Sequence, residues 1–448
     1  MKNPAFTSLL FLSLFICFVT TSQGQDFPGK KWNIVANPSD FGYSKKRLDE
    51  ARDFANTELA TKAVVVVVHG KILYEWGSVS QKYILHSARK SLMSALYGKY
   101  VKRGIIDITK TMAELGIDDK PPLEGKEKTA TVRDCLMARS GIYHPAVAES
   151  RLMELLKPKR HSHDPGTFWC YNNWDSNVLL TIFKNRTGKD FYQAFKEDIA
   201  DPIMMEDYSV EDGHYMESPA SIHKAYHIQL TARDFARFGL LMLQRGYWNG
   251  TSVIPPVWVR ESTAFHSDAS LYGTDGYGYQ WWVAQEGRKF PHLPFAELKN
   301  GAYSARGAYG QYLIIIPDRD MVIVHMTDYQ EGSVSANAMG LLVRMILDAA
   351  TDHNTPLITV DDSSAEQYVG KYELRPNVFL EVSHDGGKFS VQRTGLPKET
   401  MVMAKKDEFY TLTNTLRIIF ERNRQGKIGA LTVYQLSREL HAPRLSNP

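Results

Sequence analysis

A serine and a lysine three positions apart, Ser87 and Lys90, are the residues of this sequence best suited to chemistry. On a helix, residues three apart share a face, so the amine can approach the hydroxyl. An amine partly removed from water loses its charge, and it could then accept the hydroxyl proton and make the serine a nucleophile. Apolar neighbours that would exclude water from the pair are Tyr83, Ile84, Leu85, Leu92, Met93, Leu96 and Tyr97. Since a Ser-x-x-Lys match occurs about once by chance in a chain of this length, further residues must support the assignment.

Two later segments supply what such a serine would need. An acyl-transfer site requires a second proton carrier for the leaving group and two backbone N–H groups that face the developing oxyanion. Tyr171 and Asn173 are two positions apart, so a phenol and an amide point the same way if the segment is extended. Gly307 and Ala308 open a predicted strand, where small residues let the backbone approach a substrate carbonyl. The sequence therefore offers each part of a serine hydrolase.

The secondary-structure pattern indicates how these distant residues could be brought together. Runs typical of strands occur near both ends of the first 350 residues, and a mainly helical part from residue 87 to about residue 243 separates them. This order predicts one sheet assembled from both ends of the segment, with a helical lobe beside it. The predicted strands are residues 64–68, 72–76, 279–283, 312–316 and 321–326, and the flanking helices are residues 45–59 and 335–349.

The pattern changes after residue 356. Short strand-like runs, separated by Gly, Asn and Asp turns, continue to about residue 436 and predict a small all-β barrel or sandwich. No catalytic motif occurs in this part, so the chemistry belongs to the first 350 residues.

Composition excludes some classes of partner. The chain has 448 residues, 43% of them hydrophobic, and a formal net charge of +3 with both signs interspersed, so no nucleic-acid partner is expected. Lys2, the apolar residues 9–19 and the small-residue site Ser22-Gln23-Gly24 predict a signal peptide at residues 1–24. We therefore expect an exported protein, periplasmic or secreted, without stable membrane insertion after signal removal.

Several passages resemble the serine β-lactamase and penicillin-binding-protein superfamily, and in particular the branch of class C β-lactamases, family VIII esterases and nylon-oligomer hydrolases. The resemblance covers roughly residues 40–350, and the last part resembles the lipocalin-like appendage of some members. It implies an α+β fold, with an antiparallel sheet flanked by helices and a helical lobe, followed by a small all-β, lipocalin-like barrel. The implied division is a serine hydrolase domain at residues 25–355 and an all-β domain at residues 360–445. The passages are Ser87-Ala-Arg-Lys-Ser-Leu, Thr131-Val-Arg-Asp, Pro165-Gly-Thr, Tyr171-Asn-Asn and the segment from Thr231 to Gly239.

The resemblance also implies a role for each candidate residue. Ser87 would be the acylated nucleophile, Lys90 its activating amine and Tyr171 the group that relays protons to and from the leaving group. Asn173 would contact the substrate's amide or its acyl side chain. The backbone N–H groups of Ser87 and Ala308, just after Gly307, would bind the oxyanion. The implied substrate is a small amide or ester, and neither a metal nor an organic cofactor is expected.

One position departs from the family pattern. Ala305 stands where the family usually has Lys or His, so capture of a substrate carboxylate is weakened, although Arg306 could substitute. For this reason an esterase or amidase is favoured over a true β-lactamase. The same departure is the basis of an alternative hypothesis, a catalytically silent protein that binds peptides or cell-wall fragments.

Other residues have alternative interpretations that the sequence leaves open. His161-Ser162-His163-Asp164 would suit a metal-dependent hydrolase, but the ligand spacing is unfavourable. Cys135 and Cys170 could form one disulfide, and the sequence does not decide whether they do. Trp281 and Trp282 point to opposite faces of the predicted strand, and we expect both in the core.

Overall fold

The computed structural model describes residues 26–352 and 362–445. The signal peptide predicted at residues 1–24 and the predicted junction at residues 356–360 lie outside the described residues. The α-helices are α1 (Lys45–Glu58), α2 (Arg89–Lys102), α3 (Val132–Leu136), α4 (Arg151–Leu156), α5 (Asn173–Thr187), α6 (Phe191–Phe195), α7 (Ala232–Leu243), α8 (Pro256–Ser262), α9 (Ala336–Asp348) and α10 (Asp362–Ala365).

The strands divide into those before the undescribed junction and those after it. The first group is β1 (Ala63–Val68), β2 (Lys71–Gly77), β3 (Lys82–Ile84), β4 (Gly213–Ser218), β5 (Ser221–Thr231), β6 (Tyr247–Trp248), β7 (Thr251–Ser252), β8 (Ser267–Asp268), β9 (Gly276–Tyr277), β10 (Trp282–Val283), β11 (Tyr303–Gly307), β12 (Gln311–Ile316) and β13 (Met321–Met326). The second group is β14 (Gly370–Arg375), β15 (Val378–Asp385), β16 (Lys388–Arg393), β17 (Lys398–Lys405), β18 (Glu408–Thr411), β19 (Leu416–Arg422), β20 (Ile428–Gln435) and β21 (Arg438–Pro443).

The main sheet is antiparallel and joins both ends of the first segment. Its eight strands lie in the order β2-β1-β13-β12-β11-β10-β9-β8, so β1 pairs with β13 across most of the chain, with Val65 opposite Val324. The predicted sheet assembled from the two ends is confirmed. The run of β-branched residues in β1 suits this central place, because a strand covered on both faces buries every side chain.

Helices cover both faces of the main sheet. Val64 and Val66 of β1 pack beneath α1 and α9, while Val65 and Val67 face the core of the helical lobe, where α7 lies. Ser44 caps α1 and Ser335 caps α9, each accepting a hydrogen bond from a first-turn N–H. These two layers fix β11 and β12, which carry part of the candidate site.

The helical part contains a hairpin that the sequence pattern did not predict. Residues 213–231 form β4 and β5, and β3 adds to the outer side of β5. The prediction of a mostly helical stretch is wrong here, although Ser221 to Ala225 alternate between buried and exposed with the period of a strand. The predicted strand 279–283 is also too long. Gln280 has φ of 62° and its N–H donates to the Leu136 carbonyl, which leaves only Trp282 and Val283 in the ladder.

The last part of the chain is a nearly closed barrel, which confirms the predicted all-β domain. Strands β14 to β21 each pair with the next in sequence. The two end strands meet where Leu445 N–H donates to the Lys371 carbonyl at 2.8 Å. Edge-to-face rings of Tyr368, Phe409 and Phe420 fill its centre.

The barrel packs against α9 through hydrogen bonds from the start of that helix. Asn337 Nδ2 points at three barrel carbonyls, those of Thr411, Asn414 and Leu416, at 2.9, 3.2 and 3.2 Å. Ser335 Oγ donates to the carbonyl of Leu412, the residue after Thr411, at 2.7 Å. Among the described residues, no helix is both long enough and apolar enough to cross a membrane.

Candidate active site

Ser87 lies where β3 passes into α2. Beyond β3, Leu85 N–H donates to the Ile228 carbonyl at 3.0 Å, so the strand pairing reaches almost to the serine. His86 then has φ of 48°, in the left-handed region, and the chain turns into a short helical turn, His86–Ala88, that continues as α2. Ser87 is therefore held at the first turn of a buried helix, with its own side chain partly exposed.

Lys90 lies one helical turn after Ser87 and is only 1% exposed. Its Nζ donates to the Asn172 carbonyl at 3.4 Å. The same atom lies over the face of the Tyr171 ring, 3.8 Å from its centre. The amine is thus enclosed between its own helix and the segment that precedes α5.

The surroundings of Lys90 favour the uncharged amine. Burial is the main cause that lowers the pKa of Lys90 well below its usual range, and the positive charge of Arg89 lowers it further. The carboxylates of Asp175 and Glu149 act in the opposite direction but do not reverse the shift. An uncharged amine one turn from a hydroxyl can accept its proton.

Tyr171 comes just before α5, whose start fixes its position. Asn172 is the N-cap, with extended backbone, and its side chain accepts the Asp175 N–H at 2.8 Å. Burial raises the pKa of Tyr171 to about 12, although its hydrogen bond with Ser87 lowers it. The phenol therefore keeps its proton at neutral pH and lies in contact with the serine hydroxyl.

An aromatic wall surrounds the Tyr171 ring on its other sides. Of the two neighbouring tryptophans, both buried as predicted, Trp282 faces Tyr171 while Trp281 stacks on Phe238 in the main core. The wall rings lie 5.1 to 5.8 Å from Tyr171, centre to centre, and belong to Trp282, Tyr272 and Tyr277.

Asn173 is the first residue of α5 and is 3% exposed. Its Nδ2 donates to the Ala148 carbonyl at 2.5 Å. Its Oδ1 has no hydrogen-bond partner within the described part of the chain. The hydrogen bond from Nδ2 thus orients the side chain, and the acceptor atom Oδ1 is left without a hydrogen bond.

The end of β11 touches the segment just before Ser87. A Cβ atom on Gly307 would lie 2.2 Å from the Leu85 carbonyl oxygen, so only glycine permits this approach. The ring of Tyr309 lies 5.1 Å from the ring of His86. Ala308 is exposed and lies between these two contacts in the sequence. It is therefore brought beside Ser87 by the end of β11.

Ala305 and Arg306 point to opposite faces of β11. Ala305 is 1% exposed and belongs to the main core, so it offers nothing to a ligand. The Arg306 guanidinium lies over Trp282, 5.2 Å from the ring centre, one ring away from Tyr171. Its Nε donates to Ser304 Oγ at 2.9 Å and its Nη2 to the His292 carbonyl at 2.7 Å.

A buried chain of hydrogen bonds holds Arg306 in place. Ser304 Oγ lies 2.9 Å from His292 Nε2, and His292 Nδ1 lies 3.0 Å from Asp275 Oδ1. Burial lowers the pKa of His292, so the ring is neutral, and its Nδ1–H donates to the Asp275 carboxylate, whose pKa is lowered. The His292 Nε2 atom therefore accepts from the Ser304 hydroxyl. Ser304 is fully buried, which makes this arrangement a support for Arg306 and not a second nucleophile.

Two residues of the site were missed in the sequence. Arg89 is 2% exposed and its Nη1 donates to the His86 carbonyl. Its guanidinium lies over the Tyr226 ring, 4.9 Å from the centre, and its Nε and Nη2 have no hydrogen-bond partner among the described residues. Asp175 is buried beside Ser140, and burial raises its pKa to about 7. The only sequence signal was their position, Arg89 inside the Ser-x-x-Lys motif and Asp175 in the helix after Tyr171.

The remaining alternatives concern histidines and cysteines. No group of three or more side chains able to hold a metal occurs within residues 26–352 and 362–445. His163 stacks on Phe168 with ring centres 4.1 Å apart, and His161 lies near Glu124. Cys135 and Cys170 are both buried and free, so the disulfide that the sequence left open is not formed.

Comparison with protein families gives two matches along the chain. Residues 51–347, more than half of the chain, match the family profile described as Beta-lactamase. Residues 354–446 match a profile described as a domain of unknown function, DUF3471. The resemblance drawn from the sequence motifs is confirmed.

Individual relatives are more distant. The 6-aminohexanoate-dimer hydrolase of Paenarthrobacter ureafaciens is 30% identical over 112 residues, which is 23% of this chain and 26% of that protein. The chain thus matches about a quarter of that relative's length.

Solved structures share the fold at low identity. The octameric penicillin-binding protein homologue of Pyrococcus abyssi is 15% identical, with a TM-score of 0.54 over 88% of this chain and 99% of that one. A beta-lactamase from Mycobacterium bovis is 17% identical, with a TM-score of 0.51 over 67% of this chain and 99% of that one.

Proposed function

Since the chain belongs to the beta-lactamase family, we propose that it is a serine hydrolase that cleaves a small amide or ester through an acyl-enzyme on Ser87. One observation carries the proposal. The partly exposed Ser87 hydroxyl lies one turn from a buried amine whose pKa is lowered and in contact with a phenol that keeps its proton. The 6-aminohexanoate-dimer hydrolase relative supports amide substrates.

Acylation would use the three side chains in turn. Lys90 accepts the Ser87 proton as Oγ bonds to the substrate carbonyl carbon, and the N–H groups of Ser87 and Ala308 bind the oxyanion. The bond to the leaving group then breaks, and the leaving group takes the Tyr171 proton, which Lys90 replaces.

Deacylation reverses these roles. Water bonds to the acyl carbon and gives one proton to the same pair of groups, Lys90 and Tyr171. That proton returns to Ser87 Oγ as the ester bond breaks, so the free acid leaves and the enzyme is restored. Asn173, whose Oδ1 has no partner among the described residues, is the proposed contact for the substrate amide.

Covalent labelling tests the proposal directly. A fluorophosphonate probe should modify Ser87, located by mass spectrometry of the digested protein, and Ser87→Ala should abolish both labelling and hydrolysis of a chromogenic ester. Ser94→Ala is the matched control, because Ser94 is a fully buried serine of the same helix and its Oγ has no partner among the described residues. Labelling that persists in Ser87→Ala would refute the assignment. Binding of the probe without any turnover would instead favour the silent binding protein.

A further inference from the structure

Three rings form a partly exposed aromatic patch beside Ser87. Tyr309 is 46% exposed and Tyr329 is 45% exposed, and their ring centres lie 5.8 Å apart. The His86 ring lies 5.1 Å from the first and 5.8 Å from the second. We call these three residues the tyrosine shelf.

The shelf flanks the place where a substrate carbonyl would bind. His86 immediately precedes Ser87, and Tyr309 immediately follows Ala308, so the shelf adjoins both proposed oxyanion donors. Tyr171 has its own set of neighbouring rings, led by Trp282. Within the described residues, no ring contact joins that set to the shelf.

The chemistry of the shelf suits an uncharged, apolar group. Burial, followed by the charge of Arg89, lowers the pKa of His86 to about 4, so this ring is neutral in most conditions. Tyrosine rings offer flat apolar faces that stack against planar or aliphatic groups. The Nε2 atom of His86 has no hydrogen-bond partner among the described residues.

The backbone holds the shelf in position before any ligand binds. Tyr309 has φ of 68°, which bulky residues rarely adopt. Its carbonyl accepts hydrogen bonds from Val334 N–H at 2.8 Å and from Thr327 Oγ1 at 3.0 Å. The Tyr309 and Tyr329 rings therefore project from two loops that are joined by hydrogen bonds.

We propose that the tyrosine shelf binds the acyl group of the substrate and selects aromatic or extended aliphatic acyl groups. The proposal rests on the proposed function, in which the leaving group departs beside Tyr171. The carbonyl carbon carries only one other substituent, the side chain of the acyl group, and the shelf is an exposed apolar surface next in sequence to both Ser87 and Ala308.

Two p-nitrophenyl esters test the proposal, because they share one leaving group and differ only in the acyl group. The measured quantity is the ratio of kcat/KM for the benzoate to kcat/KM for the acetate. Tyr309→Ala and Tyr329→Ala should each lower this ratio about 3- to 10-fold, as expected for loss of one aromatic contact. Tyr309→Phe should keep the ratio, because the ring remains. Tyr247→Ala is the matched control, since Tyr247 is also 44% exposed and contacts none of the shelf rings described.

A second series separates the acyl side from the leaving-group side. Phenyl acetate and 2-naphthyl acetate share the acetyl group and differ in the leaving group. A ratio that changes in this series but not in the first would overturn the acyl assignment, and unchanged ratios in both would overturn the shelf itself. If the wild-type protein has no Ser87-dependent hydrolysis of p-nitrophenyl acetate, the proposed function fails, and the shelf proposal falls with it.

Discussion

The Nζ atom of Lys90 lies 3.8 Å from the centre of the Tyr171 ring and faces the ring, while the Tyr171 hydroxyl is hydrogen bonded with Ser87. The Tyr171 side chain therefore contacts both residues of the Ser-x-x-Lys motif, the amine through its ring and the serine through its hydroxyl. A charged ammonium would be attracted to the ring face, but burial and Arg89 favour the neutral form. In the proposed mechanism the protonation state of Lys90 therefore controls whether Ser87 can be activated.

The first prediction concerns pH. In the proposed mechanism the neutral amine is the active form. The value of kcat/KM for a chromogenic ester should therefore rise as pH increases through the lowered pKa of Lys90 and fall again only near the pKa of Tyr171, about 12. Arg89→Met removes a neighbouring positive charge, so the pKa of Lys90 rises and the acidic limb of the profile moves to higher pH. The profile is measured over the stable range of each protein.

Arg89→Lys is the control for this shift, because it keeps the charge and should leave the acidic limb near its wild-type position. Circular dichroism shows whether each variant is folded. An acidic limb that does not move in folded Arg89→Met would contradict the electrostatic role of Arg89.

The second prediction concerns stability and Asp175. Burial raises its pKa from 3.8 to about 7, so the folded state holds the proton more tightly than the unfolded state. The stabilisation is complete below about pH 4 and is lost as pH rises to about 7, by at most about 4 kcal/mol. Asp175→Asn has no proton to lose, so its free energy of unfolding should fall less than that of the wild type between pH 4 and pH 8.

Urea unfolding at both pH values measures this difference. Asp53→Asn is the control. The Asp53 side chain is 64% exposed, so its substitution should change the unfolding free energy by the same amount at both pH values. Parallel pH dependence in the wild type and Asp175→Asn would show that Asp175 is ionised in the folded protein.

The third prediction concerns the contact between Gly307, at the end of β11, and Leu85, just before Ser87. Gly307→Ala places a methyl group against the Leu85 carbonyl. Neither backbone can move freely, because Gly307 pairs with Gln311 in the sheet and the Leu85 N–H is bonded to the Ile228 carbonyl. We expect the Ala308 N–H to be displaced and kcat to fall about 10²-fold or more, as for loss of an oxyanion donor. The unfolding free energy should fall by only about 1–3 kcal/mol.

Gly29→Ala provides the comparison, because no atom lies within 4 Å of the added methyl group. Both variants are assayed with the same ester, and thermal unfolding is recorded in parallel. Wild-type kcat in Gly307→Ala would argue against an oxyanion site at Ala308.

The fourth prediction concerns the attachment of the barrel. Asn337→Asp turns a donor that faces three carbonyls into an acceptor, so the contact with the barrel should lose about 1–3 kcal/mol. Calorimetry should show barrel unfolding at a lower temperature. Lys289→Ala should have little effect, because its ion pair with Glu439 is half exposed and such pairs contribute about 0–1 kcal/mol. Equal effects of the two substitutions would contradict this description.

Local patterns were enough to predict the framework of the fold. The β-branched run of β1 and the capping serine Ser44 act within a few residues, so the sequence alone predicted these elements. The second flanking helix was also predicted, although Ser335 proves to be its N-cap and not its first residue. Ser87, Lys90 and Tyr171 were named from residue type and spacing, and the structure brings them together. Their catalytic roles stay predictions.

The features that could not be predicted from the sequence depend on contacts between distant segments. The strand at 279–283 was predicted too long because the turn at Gln280 is set by a bond to Leu136, more than 100 residues earlier. The support of Arg306 by His292 likewise joins two segments that show no common pattern. The lack of hydrogen-bond partners for Arg89 Nε and Nη2 likewise depends on the residues packed around it, so it could not be predicted from the sequence.

The strand order has a consequence for synthesis of the protein. Strand β1 and Ser87 leave the ribosome before β13, and β1 can pair with β13 completely only after residue 326, where β13 ends, has emerged. Until then one edge of the valine-rich strand β1 has no partner strand, and an unpaired edge can pair with other chains. The two residues proposed as oxyanion donors, Ser87 and Ala308, lie far apart in the sequence, so the candidate site is complete only once residue 308 has been made.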